Sequence, residues 1–341
     1  MAGKMIVDFI QDKISVALCT YNGELYLREQ IESIFKQTRL PDEIIVCDDC
    51  SVDSTLKILS EFSKNFPVLF KIYVNKKNLG VSKNFEKAIS LCSGDIIFLS
   101  DQDDVWLPKK IEKIIEVFNN NKDYCYIFSD AYITDKNLYF LEYTMWESIS
   151  FNRFQRKKFM QGQQLEVLLK YNVFVGATMA FRSELRKSVL PIPEICTHDE
   201  YIALIGSIVG RGYFIEKPLI YHRQHAHNVT GTGKKLKVID KLKRSLSVGS
   251  SNCLLEKQKY EILNDIVLKL SGRINNKIRD KISFLQQRIK IYERSGFLGL
   301  LIIICELFSG RYFKYSNGLE SAAKDSFVFL KNLISEGQEE R

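Results

Sequence analysis

The chain has 341 residues, of which 45% are hydrophobic and 26% charged, and its formal net charge is +8. This composition excludes an intrinsically disordered chain and supplies enough apolar side chains for one large domain with an appendage. No window approaches the ~20 uninterrupted apolar residues of a spanning helix, and the N-terminus lacks the basic, apolar, small-residue order of a secretion signal, so a cytoplasmic protein is expected.

From Ile14 onward an apolar strand, a polar turn and an amphipathic helix repeat. Strands are predicted over 14–20, 43–49, 69–75 and 95–101, and helices over 24–37, 53–64, 82–92 and 108–120, the last opened by Pro108, where a proline is tolerated. Near-continuous apolar strands alternating with helices predict an α/β fold whose parallel sheet is covered on both faces. Ligands of such sheets gather at the carboxyl ends of the strands. Here each strand ends in a polar cluster: TYNG, DDCSVDST, NKKNLG and SDQDD.

Farther along, CYIFSDAYITD, VFVGATMAFRSEL and YFIEKPLIYHRQH read as strands and THDEYIALIGSIVGRG as a helix, which predicts a mixed sheet with some antiparallel pairing. After Gly233 the text turns Lys-rich and helical, so the expected domains are 1–233 and a basic helical region, 234–341. Between Lys234 and Arg294 there are 16 Lys plus Arg against 6 Asp plus Glu, which places the chain's positive excess there. Such an excess suits an anionic surface. Within this region GFLGLLIIICELF is apolar but too short to span a bilayer, and is expected as a buried or interfacial helix. The eight cysteines are scattered, several inside apolar strand runs, which predicts reduced thiols and no disulfide. Cys47 and Cys50 have C-x-x-C spacing, but no second pair completes a zinc site.

The most charged turn is SDQDD, where Asp101, Asp103 and Asp104 crowd within four positions after an apolar strand. Such a cluster repels itself unless cations or basic side chains face it. D-x-D spacing lets two carboxylates approach one hard cation, and oxygen-only ligands suit Mn2+ or Mg2+ shared with substrate phosphates. Acids favoured by the dipole of the following helix are the plain alternative. All four histidines, 198, 222, 225 and 227, fall within thirty positions.

ISVALCTYNGELYLREQIESIFKQT, EIIVCDDCSVDST, NLGVSKNFEKAI and GDIIFLSDQDDVWLPKKIEKI together resemble the family 2 glycosyltransferases with the GT-A fold. HDEYIALI followed by YHRQHAHNVTG resembles the rhamnosyltransferase-like branch. The resemblance runs over residues 13–233. It implies a GT-A, Rossmann-like mixed sheet flanked by helices, and a set of site residues. Thr20, Tyr21 and Asn22 stand where such enzymes hold the nucleotide base, and an aromatic ring there can stack on a pyrimidine. Asp49 matches the carboxylate that accepts the pyrimidine N3 proton, with Asp48 supporting it. Gly80 and Lys83 lie where the family approaches the sugar nucleotide, Gly80 for a close turn and Lys83 as a phosphate contact. Asp101 and Asp103 correspond to the D-x-D pair, Gln102 sits between them on the nucleotide-sugar side, and Asp103 is the preferred metal ligand, with Asp101 and His225 as the others. Arg223 offers a planar fork for phosphate. In an extended segment His227 would share a face with His225. Asp199 matches the catalytic base, with Glu200 as its rival, and Trp106 and Trp146 are candidates for stacking on sugar, with core packing the favoured alternative for Trp106.

The activity implied is inverting transfer of a sugar, rhamnose or another deoxyhexose, from a dTDP or UDP donor to a hydroxyl of a surface polysaccharide or lipid-linked acceptor at the inner face of a membrane. A nucleotidyltransferase of similar fold would open with a Gly-rich phosphate loop after the first strand, which CTYNGELYL is not. A non-catalytic scaffold subunit would have lost the acids. Nucleic acid is not an expected partner, because no basic strand face interleaved with aromatics is present.

Overall fold

The computed structural model describes residues 12–66, 69–149, 151–226, 250–293 and 297–339. The apolar runs near the N-terminus form four parallel strands: β1 (Ile14–Thr20), β2 (Glu43–Asp48), β3 (Phe70–Val74) and β4 (Ile96–Ser100). β1, β2 and β4 are buried at every position, as expected of strands covered on both faces, whereas β3 is half-exposed and lies at the edge. Between them run α1 (Leu27–Phe35), α2 (Thr55–Asn65) and α3 (Val81–Leu91), followed by α4 (Lys110–Asn120). Each buries one stripe at helical spacing, such as Leu27, Ile31 and Ile34 on α1 and Ile111, Ile114, Ile115 and Phe118 on α4.

The sheet continues through β5 (Val105–Trp106), β6 (Tyr124–Thr134), β7 (Phe140–Thr144), β8 (Met179–Arg182) and β9 (Arg211–Arg223) in the order β3-β2-β1-β4-β8-β6-β9-β5, with β7 paired to β6. β8 runs antiparallel to β4, with Ile97 opposite Phe181, and antiparallel to β6, with Ile127 opposite Ala180. β5 runs antiparallel to β9, with Val105 opposite Tyr221 and Trp106 opposite Ile220. The strand expected from VFVGATMAFRSEL is shorter than its apolar text, because Gly176–Thr178 forms a 3-10 turn closed by Thr178 N–H donating to the Val175 carbonyl at 2.9 Å.

Contacts divide the chain into two units. The first holds the chain up to Glu142, Val175–Ile192 and Tyr213–Arg223. The second holds Tyr143–Phe174, Pro193–Gly212 and the chain from Gln224 onward. Its helices are α5 (Met145–Ser148), α6 (Arg153–Met160), α7 (Gln164–Lys170), α8 (His198–Val209), α9 (Ser250–Ser271), α10 (Asn276–Glu293), α11 (Phe297–Phe308), α12 (Arg311–Tyr315) and α13 (Leu319–Glu339). The C-terminal helices close on a buried ion pair. Arg288 grips Asp325 through two bonds of 2.7 and 2.8 Å, and the same carboxylate accepts from the Tyr292 and Tyr312 hydroxyls at 2.5 and 2.7 Å. Among the described residues no helix is long and apolar enough to cross a membrane. Of the basic segment, residues 234–249 and Arg294 lie outside the described residues.

Candidate active site

Parallel strands deliver their carboxyl ends to one rim, and the loops that leave it are cross-tied. The Gln102 amide bridges the Tyr21 main chain, accepting from its N–H at 2.8 Å and donating to its carbonyl at 3.0 Å. A Cβ on Gly23 would lie 2.2 Å from Gln102 Oε1, so a larger residue there would have to push the amide out of this bridge. Asn22, at φ 47°, donates its N–H to Ser51 Oγ at 2.9 Å and accepts from Val52 N–H at 2.9 Å, tying the loop after β1 to the loop after β2. The Tyr21 ring is 49% exposed, so its face is open to a planar ligand.

Two adjoining acids end β2 and are used differently. Asp48 is fully buried and accepts from the Thr20 hydroxyl at 2.8 Å and from the Ser51 N–H and hydroxyl at 2.9 and 2.6 Å, which makes it the internal lock of its turn. Asp49 accepts from Asn75 Nδ2 at 2.7 Å, Leu79 N–H at 2.8 Å and Gly80 N–H at 2.9 Å. Gly80, at φ 79°, turns the chain into α3 so that its N–H reaches that carboxylate. Lys83 points to protein rather than to the rim's centre, donating to Glu86 and to the Ile192 carbonyl at 2.7 Å each. Lys87 instead reaches the rim, donating to Asn75 Oδ1 at 2.6 Å.

The loop after β4 explains how three carboxylates coexist. Asp101 and Asp103 stay half-exposed while Asp104 is fully buried. Asp104 Oδ1 pairs with His222 Nδ1 at 2.9 Å and accepts from the Arg223 N–H at 3.2 Å. Burial alone would depress the His222 imidazole, but Asp104, helped by Asp103 and Asp101, outweighs it and holds the group up at about 9. Lys110 is buried on α4, its Nζ 2.5 Å from the Ala177 carbonyl and 3.5 Å from the centre of the Trp106 ring. Burial pulls its pKa well below the ordinary lysine range against the opposing charges of Asp104 and Asp101. The positive partner that the protein itself supplies to the acidic turn is therefore His222, while burial disfavours charge on Lys110. Asp104 Oδ2 and His222 Nε2 remain buried with no hydrogen-bond partner among the described residues.

Arg223 is buried, and its fork is turned to the protein. Nε donates to the Asp103 carbonyl at 2.9 Å, Nη1 to the Lys136 carbonyl at 2.6 Å, Nη2 to the Glu29 carboxylate, and the guanidinium lies 4.4 Å from the Tyr26 ring centre. It holds the main chain of Asp103 from β9, a use that the expectation of a phosphate contact did not include. Among the described residues no three His, Cys, Asp or Glu side chains form a metal cage. The oxygen donors that fit Mn2+ or Mg2+ are the half-exposed carboxylates of Asp101 and Asp103, which suits an ion whose remaining ligands come from a diphosphate.

In the second unit Asp199 occupies the first turn of α8 and accepts from the Glu200 N–H at 2.8 Å. Glu200 is committed to Lys259 of α9 at 2.7 Å, so it ties two helices together. His198 is buried, and burial lowers its pKa while Asp199 opposes the shift. His225 is half-exposed, and His227 lies outside the described residues. Trp106 and Trp146 are both buried, Trp146 edge-on to Phe151 at 5.1 Å, so both are core residues and neither offers a sugar a ring face.

Sequence reading passed over Lys110, the Asp104–His222 pair and Gly23. Lysines are rarely buried, so nothing in PKK singles out Lys110. Asp104 and His222 lie 118 positions apart. Gly23 carried a local signal, since a glycine directly after a strand-end turn marks a close approach.

The model for glycosyl transferase family 2 matches residues 15–190. A dTDP-rhamnosyl transferase, RfbG of Shigella flexneri, is 29% identical over 237 residues, covering 64% of this chain and 75% of its own. An uncharacterized glycosyltransferase of Methanocaldococcus jannaschii is 32% identical over 224 residues, covering 64% and 73%. Among solved structures, S. aureus TarS 1–349 in complex with UDP-GlcNAc is similar with a TM-score of 0.53 at 17% identity, over 96% of this chain and 92% of that one. The mannosyltransferase PcManGT from Pyrobaculum calidifontis, in complex with GDP-Man and Mn2+, gives 0.51 at 12% identity over 96% and 88%. The mixed sheet flanked by helices is the GT-A fold, and the chain belongs to glycosyltransferase family 2.

Proposed function

We propose that the protein is an inverting, metal-dependent transferase that moves a deoxyhexose, rhamnose in the first instance, from a dTDP or UDP donor to a hydroxyl of a surface polysaccharide or lipid-linked oligosaccharide. The observation that carries this reading is the rim itself. Two half-exposed acids, Asp101 and Asp103, stand on a loop held from beneath by Asp104, His222 and Arg223 and from the side by Gln102. Tyr21 offers an open ring for the base, and Asp49 has one acceptor site beyond its three protein bonds for a pyrimidine N–H. Asp101 and Asp103 would hold Mn2+ or Mg2+, which would neutralise charge on the departing diphosphate. Asp199 takes the proton of the acceptor hydroxyl, a role for which Glu200 is less suited because Lys259 already holds its carboxylate. The rhamnosyl donor is supported by the 29% identity to RfbG.

We place the protein at the inner membrane surface, on the strength of an inverted helix. α11 exposes Leu298, Leu300, Leu301, Ile304 and Phe308, and turns its one carboxylate, Glu306, inward to Arg311 at 3.2 Å. A helix with an apolar outer face matches the interfacial class, and the basic excess of the region adds attraction to acidic headgroups.

A thermal-shift series with dTDP-, UDP-, GDP- and CMP-sugars, each with and without Mn2+, tests the donor reading, since a ligand of the native state raises its melting temperature. A shift with a dTDP- or UDP-sugar that grows with Mn2+ is expected, and no shift with any donor would remove the assignment. Sedimentation with anionic vesicles at low salt tests the membrane clause, which fails if the protein stays in the supernatant.

A further inference from the structure

Beside the acidic loop, four strands of the first unit carry a row of apolar side chains. Val105 of β5 stands opposite Tyr221 of β9, two residues beyond Asp103. Tyr221 stacks on Tyr132 of β6 at 5.6 Å and 28°, and Tyr132 meets Phe140 of β7 edge-on at 5.2 Å and 83°. At interstrand spacing such a row is about 14 Å long. Val105, Tyr132 and Tyr221 are half-exposed, Phe140 is 46% exposed, and none of the four is charged. The two core-facing neighbours in the same pairing, Trp106 and Ile220, are buried, so the row lies on the side of the β5–β9 pair away from that core.

The row is also held in register with the acidic loop. The β6–β7 turn is built around Asp135, whose carboxylate accepts from the Asn137 and Tyr139 N–H groups at 2.9 Å each. Arg223 joins that turn to the loop, because one guanidinium donates to both the Lys136 and the Asp103 carbonyls. Cross-strand aromatic pairs stabilise sheets anywhere. A half-exposed, uncharged run of them that begins at a ligand-binding loop has a second use.

We propose that Phe140, Tyr132 and Tyr221 form the platform on which the neutral acceptor saccharide lies. A pyranose ring has an apolar C–H face that rests on aromatic rings and a hydroxyl edge that can bond to phenols. The absence of charge fits a neutral glycan, and the junction with the Asp103 loop leads a sugar on the row toward the donor. This inference rests on the transferase reading, and the two fail separately.

The experiment uses the full chain without donor sugar and a panel of methyl glycosides of glucose, galactose, N-acetylglucosamine and rhamnose, followed by saturation-transfer NMR. At least one glycoside should bind, with saturation strongest on ring C–H protons. The F140L/Y132L double variant, which keeps apolar bulk but removes two rings, should lose at least tenfold in that affinity while dTDP or UDP affinity with Mn2+ stays within twofold by calorimetry. F140L alone serves if the double variant misfolds, and should lose at least threefold. Glycoside binding that is absent from the wild type, or unchanged in the variants, would overturn the platform. So would a wild type that sediments as a dimer and variants that dissociate it, because a second copy would then cover the row. Loss of nucleotide binding by the wild type would instead remove the transferase reading.

Discussion

The acidic rim of the sheet and the C-terminal helix cluster both bury charge, and they treat it in opposite ways. Around Asp325 every strong group is matched: Arg288 fills the carboxylate with a two-point grip, and two tyrosine hydroxyls complete it. Around Asp104 the match stops short, with Asp104 Oδ2 and His222 Nε2 buried without a partner among the described residues. A completed network holds a fold. An incomplete one, kept in place by arginine and glutamine clamps, fits the ligand site we propose there.

The sharpest separation of chemistry from scaffold is Asp199→Asn. Turnover should fall about 10²–10⁴-fold, the range that loss of a general base produces, while nucleotide affinity stays unchanged by calorimetry. Retained turnover would move the base to Glu200. At the helix cluster, Asp325→Asn leaves Arg288 buried and uncompensated, and should cost about 3–5 kcal/mol in urea unfolding. A double replacement of Arg288 and Asp325 by Met and Leu should recover most of that loss, and a cluster that tolerates Asp325→Asn alone would erase the contrast with the rim.

A third expectation concerns pH. His222 is held at about 9 in the fold against an ordinary 6.5, so protonation stabilises the folded state. That stability is fully present below pH 6.5 and is lost as pH rises through 9, amounting to at most about 3 kcal/mol. Urea unfolding at pH 7 and pH 10 should show the difference in the wild type and not in His222→Gln. Equal slopes in the two proteins would show that His222 is neutral throughout. The smallest effect is expected from Arg223→Lys, which keeps the charge but loses the fork between Asp103, Lys136 and Glu29. A loosened Asp103 loop should lower kcat/KM by about 10–100-fold, with most of the loss in donor KM. A loss confined to kcat would argue against this placement.

Much of the first unit was legible in the linear text. β1 to β4 and α1 to α4 fall within a few residues of their predicted bounds, because buried parallel strands and amphipathic helices impose their own periods on the sequence. The second half was less so. The long strand expected around Met179 shrank to four residues, and α5 to α7 carried no strong signal, since short helices take their stability from packing rather than from pattern.

Sequence alone determined the order of strands and helices, the rim at which polar turns collect, and the acids that the rim presents. Tertiary structure alone decided what those acids and bases touch. His222 and Asp104 are 118 positions apart, and Arg223 and Glu29 are 194 apart. Local pattern encodes period and burial, but it holds no record of which distant charge will face another once the sheet has closed. That is why Lys110 reads as one of two adjacent surface lysines and turns out to lie buried beneath Trp106.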